Sequence, residues 1–195
     1  MSILSLKNEL AWELCDRFEA DAASLRARVT RSAAGTRLID CGINTPGGIE
    51  AGRRLAEICM SGMGSVEVVS GNPAIYPGPA VAVRTDHPTA ACMASQYAGW
   101  QISAEGYFAM GSGPMRSAAG REPLFDRIGH RERPTAAVGI LEATAFPPES
   151  VQADIARRAG VPPERLTLLA APTASLAGTL QVVARSVETA LHKLD

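Results

Sequence analysis

The chain has 195 residues, 46% of them apolar, enough to bury a substantial core in one large domain or two small ones. Lys plus Arg number 19 against 20 Asp plus Glu, and the net charge of −1 excludes a general electrostatic pull toward nucleic acid or an anionic membrane. Lys7, Glu9, Glu13, Asp16 and Arg17 interrupt the N-terminal stretch, so it lacks the apolar core of a signal peptide, and no run is long and apolar enough to span a bilayer.

Leu6, Leu10, Leu14, Phe18, Leu25 and Val29 recur at helical steps and predict one amphipathic helix from Ser5 to about Val29, packed as an outer layer. TRLIDCG reads as a strand, INTPGG as a loop and IEAGRRLAEICMSG as a helix. SVEVV and AVAVRT are predicted strands, joined by the ordered loop GNPAIYPGP. TAACMASQYAG has helical character, whereas WQIS and GYFAMGSGPM read as extended and then turn-like. PTAAVGILEAT predicts a strand, PPESVQADIARRAG a helix between Pro and Gly signals, RLTLLAAPT a further strand, and a final helix starts near Ala174. No repeat, charge block or low-complexity linker divides residues 1–195, so no interior domain boundary is set, and the alternation of elements predicts α/β layering on a mixed sheet with flanking helices.

Cys15, Cys41, Cys59 and Cys92 are widely separated, with no CxxC pair and no His at metal-ligand spacing. They read as reduced, buried thiols in a cytoplasmic protein. No GxSxG, HExxH, P-loop or dinucleotide fingerprint occurs. Asp86 and His87 are adjacent in an extended segment and point to opposite faces, which argues against an acid–base dyad. His130 lies in the charged run GHRERP and reads as solvated.

The last helix carries the most information. Leu176, Leu180, Val183, Val187, Leu191 and Leu194 form an apolar stripe, and Gln181, Arg185, Glu188 and His192 form a separate polar one. Arg185 and Glu188, three apart, are placed to touch. By periodicity alone a solvated ion pair is the commoner reading and a catalytic pair the rarer. Asn44, Thr45, Gly47 and Gly48 lie between a strand and a helix, where free N–H groups would receive an anion or a polar ring edge, or where the glycines simply satisfy a turn. The same two readings apply to Ser112 and Gly113 in AMGSGPM, and Thr173 and Ser175 in APTAS either face a ligand or cap the last helix.

Taken together, CGINTPGGIEAGRRLAEICM, VRTDHPTAACMASQYAGWQI, YFAMGSGPMR and APTASLAGTLQVVARSVETALHKL resemble the methenyltetrahydromethanopterin cyclohydrolases of methanogens and methylotrophic bacteria over nearly the whole chain. The resemblance implies hydrolysis of the methenyl bridge of a tetrahydromethanopterin-type pterin, the one-carbon carrier acting as substrate, with no metal and no prosthetic group. It places the catalytic pair at Arg185 and Glu188. It also implies the family's α/β fold, shortened at its C-terminal end, and a homo-oligomer, a trimer in the family. Asn44, Thr45, Gly47, Gly48, Ser95, Gln96, Ser112, Gly113 and Thr173 are the expected substrate-binding residues. The rival expectations are a noncatalytic pterin-binding or assembly subunit that needs a partner chain, and an unrelated small-molecule-binding α/β domain.

Overall fold

The computed structural model describes residues 7–104 and 106–194. In chain order, α1 (Lys7–Ala20) leads to β1 (Arg28–Arg31), β2 (Arg37–Asp40) and α2 (Ile49–Cys59), and β3 (Ser65–Ser70) and β4 (Pro79–Arg84) then form a hairpin. A π-helix (Thr89–Gln96) precedes β5 (Trp100–Ala104), β6 (Tyr107–Ser112) and the short helices α3 (Met115–Ala119) and α4 (Leu124–Ile128). β7 (Ala137–Glu142), α5 (Glu149–Ala159) and β8 (Leu166–Ala171) follow, and α6 (Leu176–Ala184) and α7 (Ser186–Leu194) come last.

The main sheet has the order β1-β2-β8-β7-β6-β5 and is mixed, as the alternation of elements predicts. Its centre, β2-β8-β7, is parallel, and β1, β6 and β5 flank it antiparallel. Register sets the two cores. Ile39, Leu169 and Ile140 lie side by side across the three central strands and pack with α1, α2 and α6. Their neighbours Leu38 and Leu168 face the other way, toward α5 and Met115. Strands buried on both faces need apolar side chains at successive positions, and LTLLAA in β8 supplies them. Each Leu or Ile so buried contributes about 1.5–3 kcal/mol. Gly139 has no Cβ because Met115 lies across it. A third cluster joins the end of α2, the β3–β4 hairpin, the π-helix and α6 through Ala56, Met60, Val66, Ala91, Cys92 and Leu180.

Two helices differ from the sequence reading. α1 stops at Ala20 and Val29 belongs to β1, because the chain reverses through Arg26, whose φ is +55°, and buries Leu25 under the sheet. The buried stripe of α1 is Lys7, Asn8, Ala11, Cys15 and Phe18; Leu10 and Leu14 are only half-buried, and Ser5 and Leu6 lie outside the described residues. Lys7 and Asn8 are buried because Glu132, 125 residues away, caps the helix: its carboxylate accepts the backbone N–H of Lys7 at 3.2 Å and of Asn8 at 2.9 Å, and pairs with Lys7 Nζ at 2.9 Å. A carboxylate there satisfies N–H groups that no helical partner reaches and opposes the helix dipole.

The single C-terminal helix expected from Ala174 is two. Arg185 stands at the junction, and Ser186 Oγ donates back to Val183 O at 2.8 Å, a bond that bends helices. The predicted faces hold in part. Leu180 is buried and Val187 and Leu191 pack on the third cluster, but Leu176, Val183 and Leu194 are exposed, whereas Gln181 and Glu188 of the polar stripe are buried. Among the described residues no helix is long and apolar enough to cross a membrane.

Candidate active site

The carboxyl ends of the parallel strands β2, β8 and β7 bring Asp40, Ala171 and Glu142 to one edge of the sheet, where open α/β sheets hold their ligands. Glu142 meets Arg185: Oε1 of Glu142 pairs with Nη1 of Arg185, both side chains close to nine-tenths buried. The partner of Arg185 is therefore this strand-end carboxylate, not Glu188 as the i, i+3 spacing predicts. Sequence reasoning missed Glu142. A charged residue closing the buried run AVGIL at the carboxyl end of a predicted strand was the signal that pointed to it.

Glu188 lies on the first turn of α7 against the π-helix and is 3% exposed, with Oε1 lacking a hydrogen-bond partner. Burial pushes its carboxyl above the usual range, while the charges of Arg185 and Arg116 and the Thr189 hydroxyl pull it back. Arg116 is itself buried. It pairs with Glu122, donates to Met93 O at 3.1 Å and lies over the Tyr97 ring at 4.9 Å. On the other side of this corner the His192 ring stacks on Tyr97 with centroids 4.6 Å apart. Neither Tyr97 nor Arg116 stood out in the sequence, because nothing in the linear pattern joins them to α7.

The π-helix is a local deformation with a positional consequence. Its backbone closes i to i−5, as where Tyr97 N donates to Cys92 O at 3.0 Å, and it carries Ser95 and Gln96 into the interior. Gln96 Nε2 donates to Ala184 O at 3.3 Å, one turn before Glu188, and Gln96 Oε1 is left without a partner. Such π-helical turns recur at functional sites. Ser95 and Ser112 are fully buried: Ser95 Oγ bonds Ser61 Oγ at 3.2 Å, and Ser112 Oγ accepts from Cys59 Sγ at 3.4 Å. Gly113 N donates to Ser95 O at 2.7 Å with φ at +90°, so AMGSGPM supports the site from behind.

The loop after β2 is built otherwise than the sequence suggests. The N–H groups of Gly42, Ile43, Asn44 and Gly47 are not free, Gly47 N donating to Arg26 O at 3.0 Å. The Asp40 carboxylate accepts Gly42 N at 2.9 Å, Ile43 N at 2.7 Å, Asn44 N at 2.8 Å and Thr45 Oγ1 at 3.0 Å. Burial raises the Asp40 carboxyl, but these four donors more than offset it and leave the group below the usual aspartate range. Gly47 turns with φ at +59°, where a Cβ would collide with Cys41 O, while Gly48 is extended. The loop packs on the start of α6, where a Cβ on Gly42 would meet Ser175 Oγ at 2.7 Å and where Ser175 caps the helix by accepting Gly178 N at 3.0 Å. Asn44 and Thr173 keep exposed side chains there. α6 is nine residues long, about 13 Å, so this loop stands at its start and Glu188 one turn beyond its other end, on α7.

All four cysteines are free and buried. Burial raises the thiols of Cys15 and Cys92, to about 12 and about 11, which makes them inert side chains of the core. Among the described residues no three His, Cys, Asp or Glu side chains are grouped as metal ligands.

The family model described as Cyclohydrolase (MCH) matches residues 5–195. The chain belongs to this cyclohydrolase family. It is 46% identical over 190 residues to the methenyltetrahydromethanopterin cyclohydrolase of Methylobacterium organophilum, covering 95% of this chain and 59% of that protein. The protein of the same name from Methylobacillus flagellatus is 44% identical over 193 residues, covering 99% and 58%, and that of Methanosarcina barkeri 40% over 190 residues, covering 96% and 59%. The chain thus spans about three fifths of the length of the curated relatives it matches. Cyclohydrolase relatives in a methylotroph and a methanogen agree with the resemblance read from its segments.

Proposed function

We propose that the chain hydrolyses the methenyl bridge of methenyltetrahydromethanopterin, or its bacterial analogue, to the N5-formyl compound, with Glu188 as general base and acid. The observation that carries this reading is a carboxylate 3% exposed, with one oxygen unpaired, in a chain of the cyclohydrolase family. The bridge carbon is amidinium-like and electron-poor, so the site must hold a water, take its proton and later give a proton to the departing N10. A carboxyl raised toward neutrality by burial can both accept and donate at working pH. The cationic methenyl group would favour ionised Glu188 before water attack and lose that influence as its charge is neutralised. Arg185, fixed by Glu142, sets the charge beside Glu188 and does not compete for its oxygens. Holding the water beside the bridge supplies the other large part of the rate, since a placed reactant avoids the entropy cost of encounter.

Among the expected binding residues, Gln96 offers a buried free acceptor, and Asn44 and Thr173 offer exposed side chains. Ser95, Ser112 and Gly113 act behind them as supports, and Thr45, Gly47 and Gly48 shape the loop that carries Asn44. The reading invokes no prosthetic group and places the enzyme in the cytoplasm. The homo-oligomer, a trimer, belongs to the reading through the family resemblance, and molecular mass in solution tests that part.

Turnover of methenyltetrahydromethanopterin by the purified chain, followed as loss of methenyl absorbance, is the direct test. Glu188→Gln is expected to lower kcat by about 10²-fold or more with little change in KM. Turnover equal to that of the unmodified chain would remove Glu188 as the base.

A further inference from the structure

Hydrolysis of a methenyl cation releases a proton. The bridge enters as an amidinium with one positive charge, and water adds to its carbon. One O–H proton leaves as the C–O bond forms. When the C–N10 bond breaks, N10 takes up one proton, and the other water proton has no place in the neutral formyl product. One proton per turnover must therefore reach solvent, and the acceptor assigned above is buried.

Three buried polar atoms without hydrogen-bond partners mark a way out: Gln96 Oε1, Glu188 Oε1 and His192 Nδ1. Each can accept a hydrogen bond, so what satisfies them is a donor such as water. Glu188 and His192 are i and i+4 on α7, on one side of the helix with Cβ atoms about 5–6 Å apart, and no direct hydrogen bond joins them. Gln96 is tied to the same side through Ala184 O. The His192 ring, held by its stack on Tyr97, also lines a cleft of about 430 Å³ with Gly99, Glu122, Pro123, Leu124 and Arg127. One residue thus has a nitrogen in the buried corner and a ring edge at an open cleft.

We propose that His192 passes the released proton from Glu188 to this cleft, through a water held by Glu188 Oε1, His192 Nδ1 and Gln96 Oε1. This rests on the hydrolase reading above. Glu188 gives the first water proton to N10, takes the second as the carbinol O–H collapses to the carbonyl, and passes that second proton to the water, which gives one to Nδ1. The imidazolium then loses the Nε2 proton to solvent in the cleft, and Glu188 returns to the carboxylate. The charged groups around the imidazole are Glu188 and Lys193 on its own helix, Glu122 and Arg127 across the cleft, and Arg116 behind Tyr97. Arg116 is paired with Glu122, so its charge opposes the imidazolium less than its position implies. His192 touches no reacting atom here; it is a positioning and relay residue that acts through Glu188.

The link is tested by following proton release with a pH-indicator dye beside the loss of methenyl absorbance, in the unmodified chain and in His192→Asn. Release is expected to keep pace with absorbance loss in the unmodified chain and to lag it in the variant. Release that keeps pace in both overturns the relay. In turnover, His192→Asn is expected to be about tenfold slower in dilute buffer, with KM and Tm unchanged and the rate restored by added imidazole. A rate that stays normal in dilute buffer, or a loss that imidazole does not restore, also overturns it. An active chain whose proton release keeps pace with absorbance loss in His192→Asn sinks the relay alone. An unmodified chain that turns over no substrate sinks the hydrolase reading and the relay with it.

Discussion

The loop after β2 and the corner where α7 packs on the π-helix both bury a carboxylate, with opposite outcomes. Asp40 is surrounded by donors, three backbone N–H groups and the Thr45 hydroxyl, and its carboxyl is held below the usual range. Glu188 has an unpaired oxygen, its carboxyl is pushed up, and Gln96 Oε1 and His192 Nδ1 near it are unpaired as well. A fully paired carboxylate fixes a backbone, whereas one that is buried and short of donors is held nearer its protonated form. The proposed function assigns scaffold to the first and chemistry to the second.

Substitutions can break or sharpen this contrast. The largest effect on stability is expected at the other satisfied carboxylate, Glu132, whose removal as Glu132→Ala strips the cap from α1 and breaks a buried ion pair. A loss of about 3–5 kcal/mol in denaturant unfolding is expected. Next is Asp40→Asn, which puts amide hydrogens among the loop's own N–H groups and should cost about 1–3 kcal/mol at neutral pH. Because the Asp40 carboxyl is depressed in the folded chain, its contribution is present above the ordinary aspartate value and is lost as pH falls through the lower folded value. The difference between the two proteins should therefore shrink in acid; a gap constant down to low pH would show that the charge of Asp40 does not act as argued.

Glu188→Gln should have the opposite sign and the smallest size. With its carboxyl raised on folding, Glu188 favours the folded state below the ordinary glutamate value and loses that benefit as pH rises through the raised one. The neutral variant should be more stable by roughly 0.5–1 kcal/mol at pH 8 and equal to the unmodified chain near pH 4, while its catalysis is lost. Thermal unfolding at the two pH values measures this. A variant less stable at both would place Glu188 with Asp40, as a structural group.

Much of the fold was visible in sequence because the central strands bury both faces and so carry unbroken apolar runs, as in AVGIL and LTLLAA. The helices at either end of the chain were harder. Leu25 and Val29 continue the spacing of α1 although the chain has turned back at Arg26, because burial beneath a sheet selects the same apolar residues as a helical face. At the other end, period alone put Leu180, Val187 and Leu191 inward correctly, but it also put Leu176 and Val183 inside and Glu188 on a polar face, where the structure has them the other way about. Arg185 and Glu188 were found by resemblance, not by spacing. Glu142, Tyr97 and His192 meet them only through tertiary packing, which no local pattern encodes.

The strand order has a consequence for how the protein is made. β8 lies between β2 and β7, yet it is the last strand of the sheet to leave the ribosome. Until residue 171 has emerged, β1-β2 on one side and β7-β6-β5 on the other have no shared neighbour, and the apolar faces of Ile39 and Ile140 have no Leu169 to join them. A nascent chain therefore holds two unfinished half-sheets with open edges between the emergence of β7 and that of β8, and their joining is gated by one six-residue segment rather than accumulated along the chain.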